Sequence, residues 1–241
     1  MAIYAMADLH LSLGKPEKSM EVFGRAWENY IPRIEENWRK TVNETDTVLI
    51  SGDISWETYL SDAAEDFKFI NSLPGRKILS RGNHDYWWTS FKKMDDFLAA
   101  NGLCNISFCR TNIIEAEDAL ISGTRGWLLP NDREAKEEDR KIFARETERL
   151  KLCVKEFEKA DPEHLKKHIL MIHYPPLTAT SRDTDFSRTI ENAPIDICVY
   201  GHLHARAHGM RFPEDTHNGV KYILSASDFL GFSPVRVLPE E

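Results

Sequence analysis

Five short apolar runs, each ending abruptly at polar residues, constrain the fold more than any other feature of this sequence. They are AIYAMA before Asp8, TVLI before Ser51, KILS before Arg81, HILMI before His173 and ICVY before Gly201. Short aliphatic runs without polar alternation are typical of strands that are covered on both faces. The sequence therefore predicts sheet that is buried between other layers.

The segments between these runs carry apolar residues at helical spacing. One helix is expected over residues 20–38, with a kink or a restart at Pro32. Its apolar face would comprise Met20, Phe23, Trp27, Ile31, Ile34 and Trp38. Further helices are expected after an N-cap at Ser61, from Phe91 to Leu98 with a stop at Asn101-Gly102, and from about Asp132 to Ala160.

The end of the chain is rich in β signals. Asn218-Gly219 ahead of VKYILSAS indicates a tight hairpin turn that leads into a strand. No internal repeat or low-complexity linker divides the 241 residues. Strands that alternate with helices predict a single α/β domain over residues 1–241, with helices layered around sheet.

Charge and hydrophobicity narrow the classes of function. The sequence has 39 acidic and 31 basic residues, a formal net charge of -8, and so lacks the basic surface of a protein that grips nucleic acid through its phosphates. No run approaches the roughly 18 apolar residues that a transmembrane helix needs, and the N-terminus has no positive region ahead of an apolar stretch. We therefore expect a soluble, cytoplasmic protein without a membrane partner, and the acidic charge balance argues against a nucleic-acid partner.

Polar side chains collect where the five predicted strands end. In open α/β sheets, ligands bind beyond the carboxyl ends of the strands. The clusters are Asp8 with His10, Asp53, Asn83-His84-Asp85, His173, and His202 with His204. These positions hold five of the nine histidines; His164, His168, His208 and His217 are interpreted as ordinary solvated or hydrogen-bonded residues. The five clusters are predicted to converge on one site.

The donors in these clusters are typical of a metal site. Nitrogen and oxygen donors without thiolate suit Mn²⁺, Fe or Zn²⁺, and the four scattered cysteines show no Cys-x-x-Cys spacing. Asp, His, Asp, Asn, His, His and His are too many ligands for one tetrahedral ion and suit two ions that share a carboxylate. Two metals about 3.5 to 4 Å apart are a known device for displacement at phosphorus.

The order of the motifs resembles the calcineurin-like metallophosphoesterase superfamily. The family pattern is D-x-H, G-D, G-N-H-[DE], H and G-H-x-H, and the sequence matches it from Asp8 to His204 without a departure. The matching residues are Asp8-Leu9-His10, Gly52-Asp53, Gly82-Asn83-His84-Asp85, His173 and Gly201-His202-Leu203-His204.

This resemblance implies a four-layer α-β-β-α sandwich, in which two packed mixed sheets are flanked by helices. It also implies that Asp8, His10 and His204 hold one metal and that Asn83, His173 and His202 hold the other. Asp53 would bridge the two ions, because a carboxylate can present one oxygen to each. Manganese is the favoured metal, with iron, zinc or nickel as alternatives.

The activity expected is hydrolysis of a phosphodiester or phosphomonoester by a hydroxide held between the two ions. His84, which is next to a ligand but is not assigned as one, would protonate the leaving alkoxide. Asp85 would orient the His84 ring and raise its pKa, and a simple turn or cap residue is the alternative for Asp85.

Several points stay open at this stage. Trp87 and Trp88 would pack in the core or line the site, and Arg125 would reach a phosphate or serve as a surface residue of a turn. The substrate is expected to be a small phosphate ester. A nuclease of the same superfamily is the second enzyme hypothesis, and a non-catalytic scaffold is the third; the complete set of ligands argues against the scaffold.

Overall fold

Two β-sheets form the centre of the protein. The computed structural model describes residues 1–130, 132, 134–177, 182–204 and 214–239. The first sheet contains β1 (Ile3–Ala5), β2 (Thr47–Ser51), β3 (Arg76–Ser80), β4 (Ile106–Phe108) and β11 (Val235–Leu238). The second contains β5 (Ile114–Ala116), β6 (Ala119–Thr124), β7 (Lys167–Ile172), β8 (Ile197–Tyr200), β9 (Glu214–His217) and β10 (Val220–Leu224).

Both sheets are mixed. In the first, with the order β11-β1-β2-β3-β4, the strands from β1 to β4 run parallel and β11 pairs antiparallel with β1. In the second, with the order β5-β6-β7-β8-β10-β9, the four central strands run parallel and both edge strands are antiparallel. The backbone N–H of Ala7, just past β1, donates to the carbonyl of Ser225, just past β10, at 2.6 Å. The carboxyl ends of the parallel strands of both sheets therefore meet at one edge of the molecule.

Helices cover the outer face of each sheet. Against the first sheet pack α1 (Tyr30–Thr41), α2 (Ala64–Ser72) and α3 (Phe91–Ala100), and against the second pack α4 (Glu137–Ala160) and α5 (Asp185–Glu191). A third apolar cluster lies between the two sheets, with Leu49 and Ile78 from the first and Ile169 and Val199 from the second. The predicted four-layer arrangement is confirmed.

The predicted strands are present and buried on both faces. In β7, Ile169 and Met171 face the other sheet, whereas Leu170 and Ile172 face the helices. The strands β4, β5, β6 and β11 were not predicted. The strands β4, β5 and β11 are only three or four residues long, and each includes one polar residue. The strand β6, ALISGT, contains a glycine. None of the four therefore gives a clear apolar run.

The helix expected over residues 20–38 is wrong in its first half. Residues Met20–Phe23 and Arg25–Trp27 form two short 3₁₀ turns, separated by Gly24 at φ 107°, and α1 begins only at Tyr30. Gly24 adopts a conformation that other residues rarely reach, and this breaks the helix. Pro32 lies in the first turn of α1, where an N–H has no intrahelical acceptor, so a proline is tolerated there.

The other predicted elements need smaller changes. The helix α2 begins at Ala64 with Ala63 as its N-cap, so the expected N-cap at Ser61 is wrong. The helix α4 begins at Glu137 rather than near Asp132. Asn101 caps α3 as predicted, and Asn218 and Gly219, at φ 47° and 85°, form the predicted hairpin turn. No helix in the described part of the chain is both long enough and apolar enough to cross a bilayer.

Candidate metal centre

The structure brings all seven predicted ligands and His84 to the edge where the two sheets meet. Asp8 and His10 follow β1, Asp53 follows β2, and Asn83 with His84 follows β3. From the second sheet, His173 directly follows β7, and His202 and His204 follow β8. The positional prediction that these clusters converge is therefore correct.

Asp53 lies at the centre of the cluster. Its Oδ2 is 3.4 Å from Nε2 of His173, 3.8 Å from Nε2 of His10 and 4.0 Å from Nε2 of His84. Its Oδ1 accepts the backbone N–H of His84 at 2.8 Å. One carboxylate thus faces imidazoles that come from both sheets.

The donors form two groups that overlap at Asp8. Donor atoms of Asp8, His10 and His204 lie within 4.8 Å of one another, and so do those of Asp8, Asp53 and His173. The amide oxygen of Asn83 lies 2.8 Å from Nε2 of His173 and 3.1 Å from Nδ1 of His202. In each of the two groups, the donors are close enough together to hold a cation.

The backbone at these positions is unusual. Asp8, His10, Asp53 and His202 all have positive φ, between 45° and 69°, a region that non-glycine residues seldom occupy. Such conformations cost of order 1–3 kcal/mol each and persist at functional sites because the surroundings hold them there. Neighbouring glycines leave the required space: a Cβ on Gly201 would lie 2.5 Å from Oδ2 of Asp8, and one on Gly82 would collide with Asp53.

Hydrogen bonds outside the cluster orient its rings. Nδ1 of His173 lies 2.9 Å from the carbonyl oxygen of Ser51, to which it can donate, so Nε2 is left to face Asp53 and Asn83. Nδ1 of His204 lies 2.9 Å from Oδ1 of Asp228. Carboxylate–histidine pairs of this kind fix the tautomer of metal ligands.

Asp228 was missed by the sequence reasoning, although a signal for it exists. It lies four residues beyond β10, a strand parallel to β8, so it belongs to the same edge as the other clusters. The strand before it was predicted, but the polar residues at its end were not included.

Burial and mutual charge set the protonation of the cluster. Burial raises the pKa of Asp8 to about 7 and lowers that of His10, and likewise of His202, to about 3. Burial alone would raise the pKa of Asp53, but the neighbouring His173 outweighs it and holds this pKa well below its usual range. Burial likewise opposes a charge on His173, but Asp53 raises the pKa of His173 to about 9. The charge thus concentrates on the Asp53–His173 pair, while the rings of His10 and His202 keep free lone pairs.

Several donor atoms of the cluster have no hydrogen-bond partner among the described residues. They include Oδ1 of Asp8 and both ring nitrogens of His10, all of them buried. Buried polar atoms are normally paired, because an unpaired one costs about 1–3 kcal/mol. A bound cation would satisfy these atoms, and the hard oxygen and imidazole donors suit a divalent metal. The residues present therefore fit the pair of metal ions that the sequence motifs imply.

His84 lies beside the cluster, but Asp85 does not contact the His84 ring. The His84 side chain is 34% exposed, and burial lowers its pKa. The carboxylate of Asp85 accepts from the backbone N–H groups of Gly82, Asp53, Ile54 and Ser55 and from the indole of Trp87. In the part of the chain that the structure describes, none of its hydrogen bonds goes to His84. Asp85 therefore ties together the loops after β2 and β3.

The residues left open by the sequence also have clear positions. Trp87 and Trp88 are buried in the core on the helix side of the first sheet. The Arg125 side chain is 10% exposed, stacks over Trp127 at 4.2 Å and lies 3.5 Å from Glu146, so it is not a surface residue. The tryptophans next to the cluster are Trp27 and Trp56, which sequence reasoning assigned to helix packing or left out.

Three of the remaining histidines have acidic partners. His164 pairs with Asp196, His168 with Asp161 and His217 with Glu191, at 2.7 to 3.2 Å. His208 lies outside the described residues.

Comparison with known proteins agrees with this fold. The family model of calcineurin-like phosphoesterases matches residues 1–206, and the chain belongs to that family. No curated protein sequence matches the chain.

Solved structures share the fold at low sequence identity. The phosphopantetheinyl hydrolase of Mycobacterium tuberculosis superposes with a TM-score of 0.60 at 14% identity, covering 99% of this chain and 96% of that one. TT1561 of Thermus thermophilus gives a TM-score of 0.56 at 10% identity, covering 98% and 97% of the two chains. These likenesses establish the architecture alone.

Proposed function

We propose that this protein hydrolyses a small phosphate ester with the help of two divalent cations, of which Mn²⁺ is favoured and Fe, Zn²⁺ or Ni²⁺ are alternatives. Asp8, His10 and His204 would hold one ion, Asn83, His173 and His202 the other, and Asp53 would contact both. The observation that carries this proposal is the convergence of these donors around Asp53, with buried atoms of Asp8 and His10 left without partners among the described residues.

Bound in this cluster, two divalent cations supply Lewis acidity that draws charge from the phosphoryl oxygens and makes a water acidic enough to attack phosphorus near neutral pH. The protein residues supply the geometry. His173 is oriented by the carbonyl of Ser51 and His204 by Asp228, so that each presents one nitrogen to the cluster. Asp53 balances positive charge from both sides.

His84 is proposed as the proton donor to the leaving alkoxide. Its Nε2 is 4.0 Å from Asp53, and its ring is one-third exposed, so it can reach both the cluster and an incoming ester. Asp85 is assigned a positioning role, because its carboxylate binds the backbone N–H groups of Asp53 and Gly82 and so fixes the loops that carry Asp53 and His84.

The decisive experiment is hydrolysis of p-nitrophenyl phosphate and of bis(p-nitrophenyl) phosphate by protein stripped with a chelator, before and after divalent ions are added back. We expect turnover to be lost when the metal is stripped and to be restored most strongly by Mn²⁺. The ester with the higher turnover then shows whether the protein prefers phosphomonoesters or phosphodiesters. Asp53→Asn is the matched negative control. The proposal would be overturned if the stripped protein retained full activity. It would also be overturned if the protein bound two ions but hydrolysed neither of these esters nor any member of a wider panel of phosphate esters.

A further inference from the structure

An apolar cavity opens directly beside the candidate metal centre. It has a volume of about 380 Å³, within the usual range for sites that bind small molecules. One side is formed by His10, His84, His204 and Asp228, which belong to the cluster or touch it. The other side is formed by Met20, Phe23, Ala26, Trp27 and Trp56. The cavity and the metal centre thus share one continuous wall.

The apolar wall is built by the part of the chain that does not follow the helix pattern. The two 3₁₀ turns around Gly24 place Met20 and Trp27 in buried positions and leave Phe23 62% exposed at the rim. A continuous helix would have put these side chains on one packing face. The break at Gly24 therefore creates a surface that faces the site.

Aromatic contacts join this wall to the histidines. The ring of Trp56 stacks on His10 at 4.9 Å and lies 4.3 Å from His84, and Trp27 lies 5.6 Å from His204. A molecule that occupies the cavity therefore lies against at least one indole ring.

The described residues around the cavity favour an uncharged group over an ionised one. The described residues that line it include no lysine or arginine, and Asp228, its one carboxylate, is paired with His204. Among these residues, a second phosphate or a carboxylate on the substrate would find no lysine or arginine side chain to pair with. Burying apolar groups, by contrast, gains about 25 cal/mol for each Å² removed from water.

We propose that the cavity takes the alcohol half of the ester, and that this half is an apolar alkyl or aryl group. The inference rests on the function proposed above, in which His84 protonates the leaving oxygen. Because His84 lines the cavity, the group attached to that oxygen lies within it. At roughly 30 Å³ for each water molecule, the cavity has the volume of about a dozen waters, which is enough for a short alkyl chain or a single aryl ring.

The test varies the alcohol without varying the chemistry. Ethyl, butyl, hexyl and octyl phosphates have leaving alcohols of nearly equal acidity, so differences in kcat/KM report binding of the chain. We expect kcat/KM to rise by up to about fourfold for each methylene, equivalent to about 0.8 kcal/mol, until the cavity is full. If the protein prefers diesters, the methyl alkyl phosphates of the same alcohols are used.

Variants locate the effect in the cavity. Phe23→Ser removes an exposed wall residue and is expected to lower the octyl to ethyl ratio by roughly tenfold. Ala26→Leu narrows the cavity and should shift the preference to shorter chains. Tyr59→Ser, an equally exposed aromatic that does not line the cavity, is the control and should keep the wild-type ratio.

Calorimetric binding of ethyl and octyl phosphonate, which are not hydrolysed, gives a readout without turnover. If octyl phosphonate binds more tightly than ethyl phosphonate and Phe23→Ser removes this difference, the inference is supported. If no ester is cleaved in the same protein, the proposed function alone fails. Equal kcat/KM and equal affinity for short and long chains in the wild-type protein would overturn the inference while leaving a phosphoesterase intact. A chain-length effect unchanged in both cavity variants would overturn it as well.

Discussion

At the scale of single residues, Gly201 offers a test of how tightly the cluster is built. A Cβ at this position would lie 2.5 Å from Oδ2 of Asp8, closer than atoms in contact allow, while φ there imposes no left-handed strain. We expect Gly201→Ala to displace the Asp8 carboxylate and to weaken metal binding by about 10- to 100-fold, as changes around metal ligands do. Metal titration followed by calorimetry gives the value.

The control for this change is Gly14→Ala, where a new Cβ meets its nearest neighbour at an ordinary 3.4 Å. It should leave metal affinity and fold unchanged. Wild-type affinity in Gly201→Ala would mean that Asp8 is not a ligand in its present position.

His84 is the residue whose role is most easily separated from metal binding. Removal of a general acid typically costs about 10²- to 10⁴-fold in rate. We expect His84→Ala to retain its metal ions and to lose that much turnover with alkyl phosphates, whose leaving groups need a proton. With p-nitrophenyl phosphate the loss should be much smaller, because nitrophenolate leaves without one. Equal losses on both substrates would contradict the role of acid and indicate one in positioning.

At the scale of elements, the connection between β2 and α2 predicts a dependence of stability on pH. Asp66, in α2, is buried and accepts hydrogen bonds from Leu13 N–H at 2.7 Å and from the Ser55 hydroxyl at 2.5 Å. Burial, aided by the charge of Glu57, raises its pKa from 3.8 to about 6. The folded state therefore holds the Asp66 proton more tightly than the unfolded state does. The stabilisation that comes from the protonated Asp66 is fully present below pH of about 4 and is lost as pH rises through about 6.

Asp66→Asn removes the titration. Its amide oxygen can still accept from the Leu13 N–H, and its NH₂ group can donate to the Ser55 hydroxyl, which reverses the direction of that bond. The free energy of unfolding of the Asp66→Asn variant minus that of the wild-type protein should increase between pH of about 4 and 7. The increase is up to about 3 kcal/mol, because the pKa of Asp66 is raised by roughly two units on folding. Urea unfolding at the two pH values measures this difference. Asp95→Asn, the same substitution at an exposed position of α3, serves as control and should stay within about 0.5 kcal/mol. A difference that does not change with pH would show that Asp66 does not titrate in this range.

The elements that could be predicted from the sequence are those whose pattern is set by burial. The strands β1, β2, β3, β7 and β8 are covered on both faces, so each is an apolar run, and a site residue follows within three positions of its end. The short strands depend on tertiary packing, and the break in the expected helix depends on the backbone conformation of Gly24. Neither feature produces a periodic pattern in the sequence. The site residues were predictable for a similar reason. Asp8 and His10 are residue types that bind metals, so the sequence identifies them, whereas Trp27 and Phe23 of the cavity wall have the spacing of an ordinary apolar helix face.

At the scale of the whole molecule, the two sheets meet through the candidate metal centre. Asp8, Asp53 and Asn83 come from the first sheet, and His173, His202 and His204 come from the second, so a bound ion would bridge both halves of the sandwich. The unfolded chain does not assemble these ligands, and metal ions therefore stabilise the folded state by mass action. With free metal about 100-fold above Kd, the gain is about 2.7 kcal/mol for each site.

This gain should appear as a rise of roughly 5–10 °C in Tm for each saturated site, given about 2–4 °C for each kcal/mol in a chain of this size. Scanning calorimetry of stripped protein, with and without Mn²⁺, measures it. Asp53→Asn, which removes the carboxylate proposed to contact both ions, should abolish most of the rise, whereas Glu148→Gln, exposed on α4, should preserve it. An equal rise in Asp53→Asn would place the stabilising ions elsewhere on the acidic surface, and the bridge between the sheets would have to be abandoned.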